Sequence, residues 1–250
     1  MARLLFSLHV VALICLGHTA VHAQVGDHRN DFSLGVNGGL VLTKVGFSPK
    51  VTQSFYPGFQ AGLSARYVCE KYFSAICSIC AELNYAQRGW SEKIVDIHNQ
   101  PVYNELTGEN DMYRRRINYL QLPIMAHLAW GREQKGVNFF IELGPQFGYM
   151  LGETTTTNFT PETASMEQRV SKTVAQYKMD VENRLDYGIC GGLGIELSHP
   201  AVGHFLLAGR YYFGLGNIYK SSKRDNFSKS NISGIEVKLT YLIDLTKTKY

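Results

Sequence analysis

The chain has 250 residues, with 25 Lys and Arg against 21 Asp and Glu, and a formal net charge of +4 at pH 7. So small an excess, part of it contributed by Arg3, gives no reason to expect a nucleic-acid partner. The mean hydropathy of −0.13, with no run of about eighteen apolar residues beyond the first segment, excludes a bundle of membrane-spanning helices.

The first segment sets the compartment. Arg3 precedes an apolar run at 4–16, and small residues stand three and one positions before Gln24, in Val21-His-Ala23. That pattern predicts a secretory signal peptide at 1–23 and a mature domain at 24–250. Cys15 follows Ile14 rather than a small residue, so a lipoprotein anchor is not expected.

From there the chain alternates apolar and polar residues with period two. FSLGVNGGL (32–40) and FQAGLSARY (59–67) are followed by similar segments at 79–88, 118–130, 139–151, 186–197, 205–215 and 235–245. Period two means strands with two unlike faces. Long polar connections at 43–57, 91–116, 152–183 and 217–232 alternate with tight turns at 70–73, 131–136 and 198–203. The predicted fold class is therefore all-β, an eight-stranded antiparallel transmembrane β-barrel with short periplasmic turns and long external loops. Aromatics near strand ends, Tyr67, Trp90, Trp130, Tyr149 and Tyr211, fit the belts found at membrane interfaces.

A soluble ligand-binding barrel would turn the apolar face inward. Eight strands enclose an interior just wide enough to be filled by side chains or to hold one small ligand. Leu120, Leu122, Ile124, Leu128 and Trp130 from one strand, with Ile141, Leu143, Phe147, Tyr149 and Leu151 from the next, are too bulky to share it. The other face carries Gly, Ser, Asn and charges, which fit. This also explains RLDYGICGGLGIEL (184–197): a phosphate-binding glycine loop must open a helix, and here a turn at Ser198-His-Pro200 follows. The glycines instead leave room for long arginines and tyrosines to cross the lumen.

The inward parity collects a charge network of Arg66, Glu82, Arg88, Glu142, Asp186, Glu196, Arg210, Glu236 and Lys238, with Tyr119, Gln121 and His127 among them. Mixed signs point to a mutually neutralising lumen. Cys77 and Cys80 lie three apart, on opposite faces of a strand, so they neither bridge nor share a metal; Cys80 and Cys190 share the inward parity. His98 with Asp96 in the second long connection, and His127 nearer the periplasmic end, make no convincing catalytic dyad, and no catalytic, cofactor or metal site is assigned. Arg114, Arg115 and Arg116 form a candidate lipopolysaccharide-contact rim, since guanidinium groups match phosphate oxygens. The third connection, beginning Glu153-Thr-Thr-Thr-Thr-Asn158, has the composition of a disordered loop.

Several segments, in order, resemble the PorT-type family of outer-membrane β-barrel proteins of Bacteroidetes: FSPKV (47–51), AELNYAQRGW (81–90), NYLQLPI (118–124), LGPQFGY (143–149), DYGICGGLG (186–194) and GRYYFGL (209–215). Gln121 stands where such proteins often carry Glu. The resemblance implies an outer-membrane location with both termini in the periplasm, and a non-enzymatic role linked to the type IX secretion apparatus or to envelope integrity. The expected partners are outer-membrane lipid, lipopolysaccharide and secretion-system components. The alternative is a small porin or ligand-uptake barrel.

Overall fold

The computed structural model describes residues 26–132, 135–160, 163–164, 166–222 and 225–248; the expected signal peptide lies outside them. Eight long strands follow one another: β1 Asp27–Ser48, β2 Tyr56–Tyr72, β3 Ala75–Glu92, β4 Tyr113–Gly131, β5 Gly136–Thr157, β6 Leu185–His199, β7 Gly203–Gly214 and β8 Lys229–Thr246. Each pairs antiparallel with its neighbour in sequence, and β1 pairs with β8 from Phe32 opposite Thr246 to Ser48 opposite Lys229. The sheet is a closed up-and-down barrel. Closure leaves none of these eight strands with an unpaired edge, which a bilayer requires.

The alternation sorts the side chains by strand parity. Along β6, Tyr187, Ile189, Leu193 and Ile195 face outward and exposed, while Asp186, Cys190 and Glu196 are buried inside. The same split runs through Leu120, Leu122 and Ile124 on β4 and Ile235, Val237 and Leu239 on β8. An apolar belt thus surrounds the barrel at mid-height, the inside-out pattern of a protein whose solvent is lipid.

Two expectations change. The strands run on into the ends of 43–57, 91–116 and 152–183: Lys44 pairs opposite Ser233, and Arg114 opposite Thr156. Polar composition marks the level at which the strands leave the belt, not the point at which they end; threonines are good strand formers in water. The described residues of the third connection are also packed in place. Phe159, Arg169, Gln176 and Val181 are buried in it, and a 3-10 turn spans Ala175–Tyr177. A few widely spaced apolar groups suffice because the barrel mouth already offers an apolar seat.

That seat forms the largest core cluster. Phe47, Trp90, Tyr113, Ile117, Tyr119, Tyr219, Phe227 and Ile232 pack with Phe159 and Val181 at the end where the long connections meet. Trp90 is fully buried within it and is not a belt residue, whereas Tyr67, Trp130, Tyr149 and Tyr211 face outward as expected. The reason is parity: Trp90 shares the inward face with Arg88.

Candidate functional site

The nine charged residues of inward parity are all buried inside the barrel. Arg210 on β7 reaches across to β3, where its two terminal nitrogens lie 2.9 and 3.1 Å from Glu82, and sideways to Glu142 on β5 at 2.9 Å. Lys238 on β8 donates to the same Glu82. Arg66 on β2 spans the lumen to Glu196 on β6 at 2.8 Å. Arg88 donates to Glu236 on β8 and to Gln121 at 3.2 Å, and its guanidinium sits 4.4 Å over the ring of Tyr212. Tyr212 donates to Asp186 at 2.8 Å. Four cations thus bond four carboxylates between strands that are not neighbours, and the fifth, Asp186, is held by Tyr212 on the adjacent strand.

The glycines make this geometry possible. A Cβ on Gly192 would stand 2.8 Å from Arg210 Cγ, and one on Gly194 would stand 2.4 Å from the ring of Phe140. Both distances are shorter than packed atoms tolerate. One strand wall is therefore bare so that side chains from the others can fill the lumen at normal density.

Below the ion pairs, at the end of the tight turns, lies a network that the period-two pattern did not reveal. His204 Nδ1 lies 2.8 Å from Ser198 Oγ and 2.7 Å from Glu196, and its Nε2 lies 3.0 Å from Asp244, which also accepts from Ser33 at 2.6 Å. Serine, histidine and aspartate in this order resemble a nucleophilic triad. Ser198 is only 2% exposed, however, and its hydroxyl also lies 3.0 Å from Glu196, so it ties strands together and offers no open nucleophile. A cavity of about 50 Å³ beside it is lined by Arg66, His127, Glu196, His204 and Asp244. His98 does not join a dyad: Asp96 is engaged by the backbone N–H groups of His98 and Gln100, each at 2.9 Å.

The arginine triplet divides by parity. Arg115 is buried, donates to the Gln176 carbonyl at 3.3 Å and the Tyr219 hydroxyl at 3.1 Å, and pairs with Glu153 at 3.4 Å. It belongs to the cap and cannot serve as a rim contact. Arg114 and Arg116 are on the outward parity, opposite Thr156 and Thr154. A second polar cluster fastens the third connection: Arg169 bonds Asp111 at 2.5 Å and Tyr177 at 2.8 Å, while Tyr177 and Gln176 donate to Glu92 at 2.6 and 2.8 Å. Glu92 lies beyond the apolar belt, and burial pushes its carboxyl up to about 7.

Residues 22–220 match the family described as outer membrane protein beta-barrel domain. The chain belongs to this family. It is an outer-membrane β-barrel protein, and the structure adds the closing strand β8 beyond the matched segment. Among solved structures, OprG from Pseudomonas aeruginosa is 13% identical, covering 87% of this chain and 98% of its own, with a TM-score of 0.47. Ail of Yersinia pestis, solved in complex with the heparin analogue sucrose octasulfate, is 13% identical over 85% of this chain and 99% of its own, with a TM-score of 0.39. Neisserial surface protein A is 10% identical over 85% and 96%, with a TM-score of 0.39. No curated protein matches the sequence.

Proposed function

We propose that this protein is a closed, non-enzymatic outer-membrane barrel that acts through its loop face, as a membrane-embedded component associated with protein secretion of the PorT type. The observation that carries the closed-barrel reading is the obstruction of the lumen at two levels: the cross-lumen bonds of Arg210 to Glu82 and Arg66 to Glu196, and above them the aromatic cap with the inserted third connection. A solute would have to break buried ion pairs to pass, which costs several kcal/mol for each partner stripped. The capped end presents a folded surface instead, as a binding or assembly face needs. The link to secretion rests on the ordered sequence resemblance.

Purified protein in planar bilayers tests the closed lumen. No unitary current is expected at 100 mV; reproducible steps would favour the small-porin reading. Deleting the gene tests the role. Retention of secreted cargo in the periplasm is expected, and unchanged export with intact envelopes would remove the secretion assignment while leaving the barrel untouched.

A further inference from the structure

A groove of about 680 Å³ runs along the outer surface where β5 and β6 leave the belt and the chain emerges from β7. Its floor is Tyr149, Leu185, Tyr187 and Leu215, all exposed, and its upper rim is Arg184 with Glu182, Asn183 and Asn217. The groove is built, not incidental. Leu215 and Gly216 both donate backbone N–H to the Tyr187 carbonyl, at 2.8 and 3.2 Å, clipping the chain beside β6 after β7 has ended. A Cβ at Gly216 would press on the Tyr187 ring at 3.3 Å, so the glycine keeps that ring open to the groove. Asn183 Nδ2 donates to the Asn217 carbonyl at 2.7 Å and fixes the rim.

The charges at this rim are not equivalent. Lys220 is paired with Glu182 at 3.4 Å, whereas Arg184 has no ion-pair partner among the described residues. An apolar floor continuous with the lipid-facing belt, under a single unspent guanidinium, suits one occupant. We infer that this groove seats a phospholipid of net negative charge, its acyl chain along Leu185, Tyr187 and Leu215 and its phosphate on Arg184. The volume falls within the about 300–1,000 Å³ typical of small-molecule sites. Guanidinium and phosphate form paired, charge-assisted hydrogen bonds, and the aromatic rings sit at the headgroup level that tyrosine favours. The assignment rests on the belt and not on the closed lumen, so the two stand or fall separately.

Native mass spectrometry of the full barrel in micelles doped with phosphatidylglycerol or phosphatidylcholine of equal chain length tests it. The barrel is expected to retain phosphatidylglycerol preferentially, with R184Q lowering retention about tenfold and the double variant R114Q/R116Q leaving it nearly unchanged. G216L fills the groove without altering charge and is expected to reduce retention of both lipids, with heat-modifiable gel migration confirming a folded barrel. Equal retention of the two lipids by the unaltered protein, or equal losses in R184Q and R114Q/R116Q, would overturn the site. Displacement of the lipid by millimolar inorganic phosphate would show an anion site alone and overturn the lipid assignment.

Discussion

The lower and upper halves of this barrel are filled by opposite chemistries. In the lower half the strands supply everything: charges of both signs, three to four strands apart around the ring, meet across the lumen. In the upper half the strands supply aromatics, and the connections fold back to complete the packing. The difference follows from what surrounds each half. Ringed by lipid, the lower interior has no reach of chain beyond its own strands, so polar groups must satisfy one another. The upper half stands in water, where the hydrophobic effect draws the connections inward. Ion pairs at the bottom specify which strands face each other; aromatic packing at the top specifies where the connections go.

Replacing Arg210 should break the lower half alone. R210M leaves Glu142 without its cation while Glu82 keeps only Lys238, and stranding a buried charge costs about 3–5 kcal/mol. A large fall in the urea midpoint of heat-modifiable migration is expected, with the cap still ordered in the folded fraction. The double variant E142Q/R210M should recover much of the loss, because Glu82 keeps Lys238 and Glu142 is no longer a charge without a cation; no recovery would mean that the arginine acts mainly through its packing.

The cap responds to pH where the ion pairs do not set the balance. Glu92 carries a carboxyl raised to about 7 by burial, from an ordinary 4.5, with Tyr177 and Gln176 donating to it and Arg169 bonded to Tyr177 and Asp111. The folded cap binds this proton more tightly than the open one. Its contribution is therefore complete below pH about 4.5 and is lost as pH rises from there through about 7, a change of roughly 3 kcal/mol. Limited proteolysis should cleave within 158–184 more readily at pH 8 than at pH 5, and E92Q should flatten that dependence. Faster cleavage at pH 5 would reverse the assignment.

Gly194 probes the bare wall of the lower half. G194V would drive its side chain into Phe140 and the Leu207 carbonyl, overpacking worth about 1–3 kcal/mol. A lowered urea midpoint is expected, with partial rescue by F140L; a midpoint equal to the parent's would mean that the strands part more easily than the geometry allows. Smallest of all, R114Q should change stability by no more than about 0.5 kcal/mol, since its side chain is on the outward, water-facing parity; a larger loss would place it in the cap with Arg115.

Much of this was legible in the amino-acid order. Strict alternation sorted Tyr187 and Ile189 from Asp186 and Cys190, and the rhythm of long and short connections gave the up-and-down ring, because a strand's two faces depend only on residue parity. The nine inward charges could be named on the same ground. Which charge meets which could not: Arg66 and Glu196 are 130 residues apart and touch only because closure sets β2 opposite β6. The ordering of the third connection, the diversion of Arg115 into the cap and the tie of Ser198 through His204 to Asp244 were likewise decided by tertiary structure. A period-two pattern reports which side of a strand a residue occupies, while the partner waiting there is fixed by the curvature and register of the whole ring.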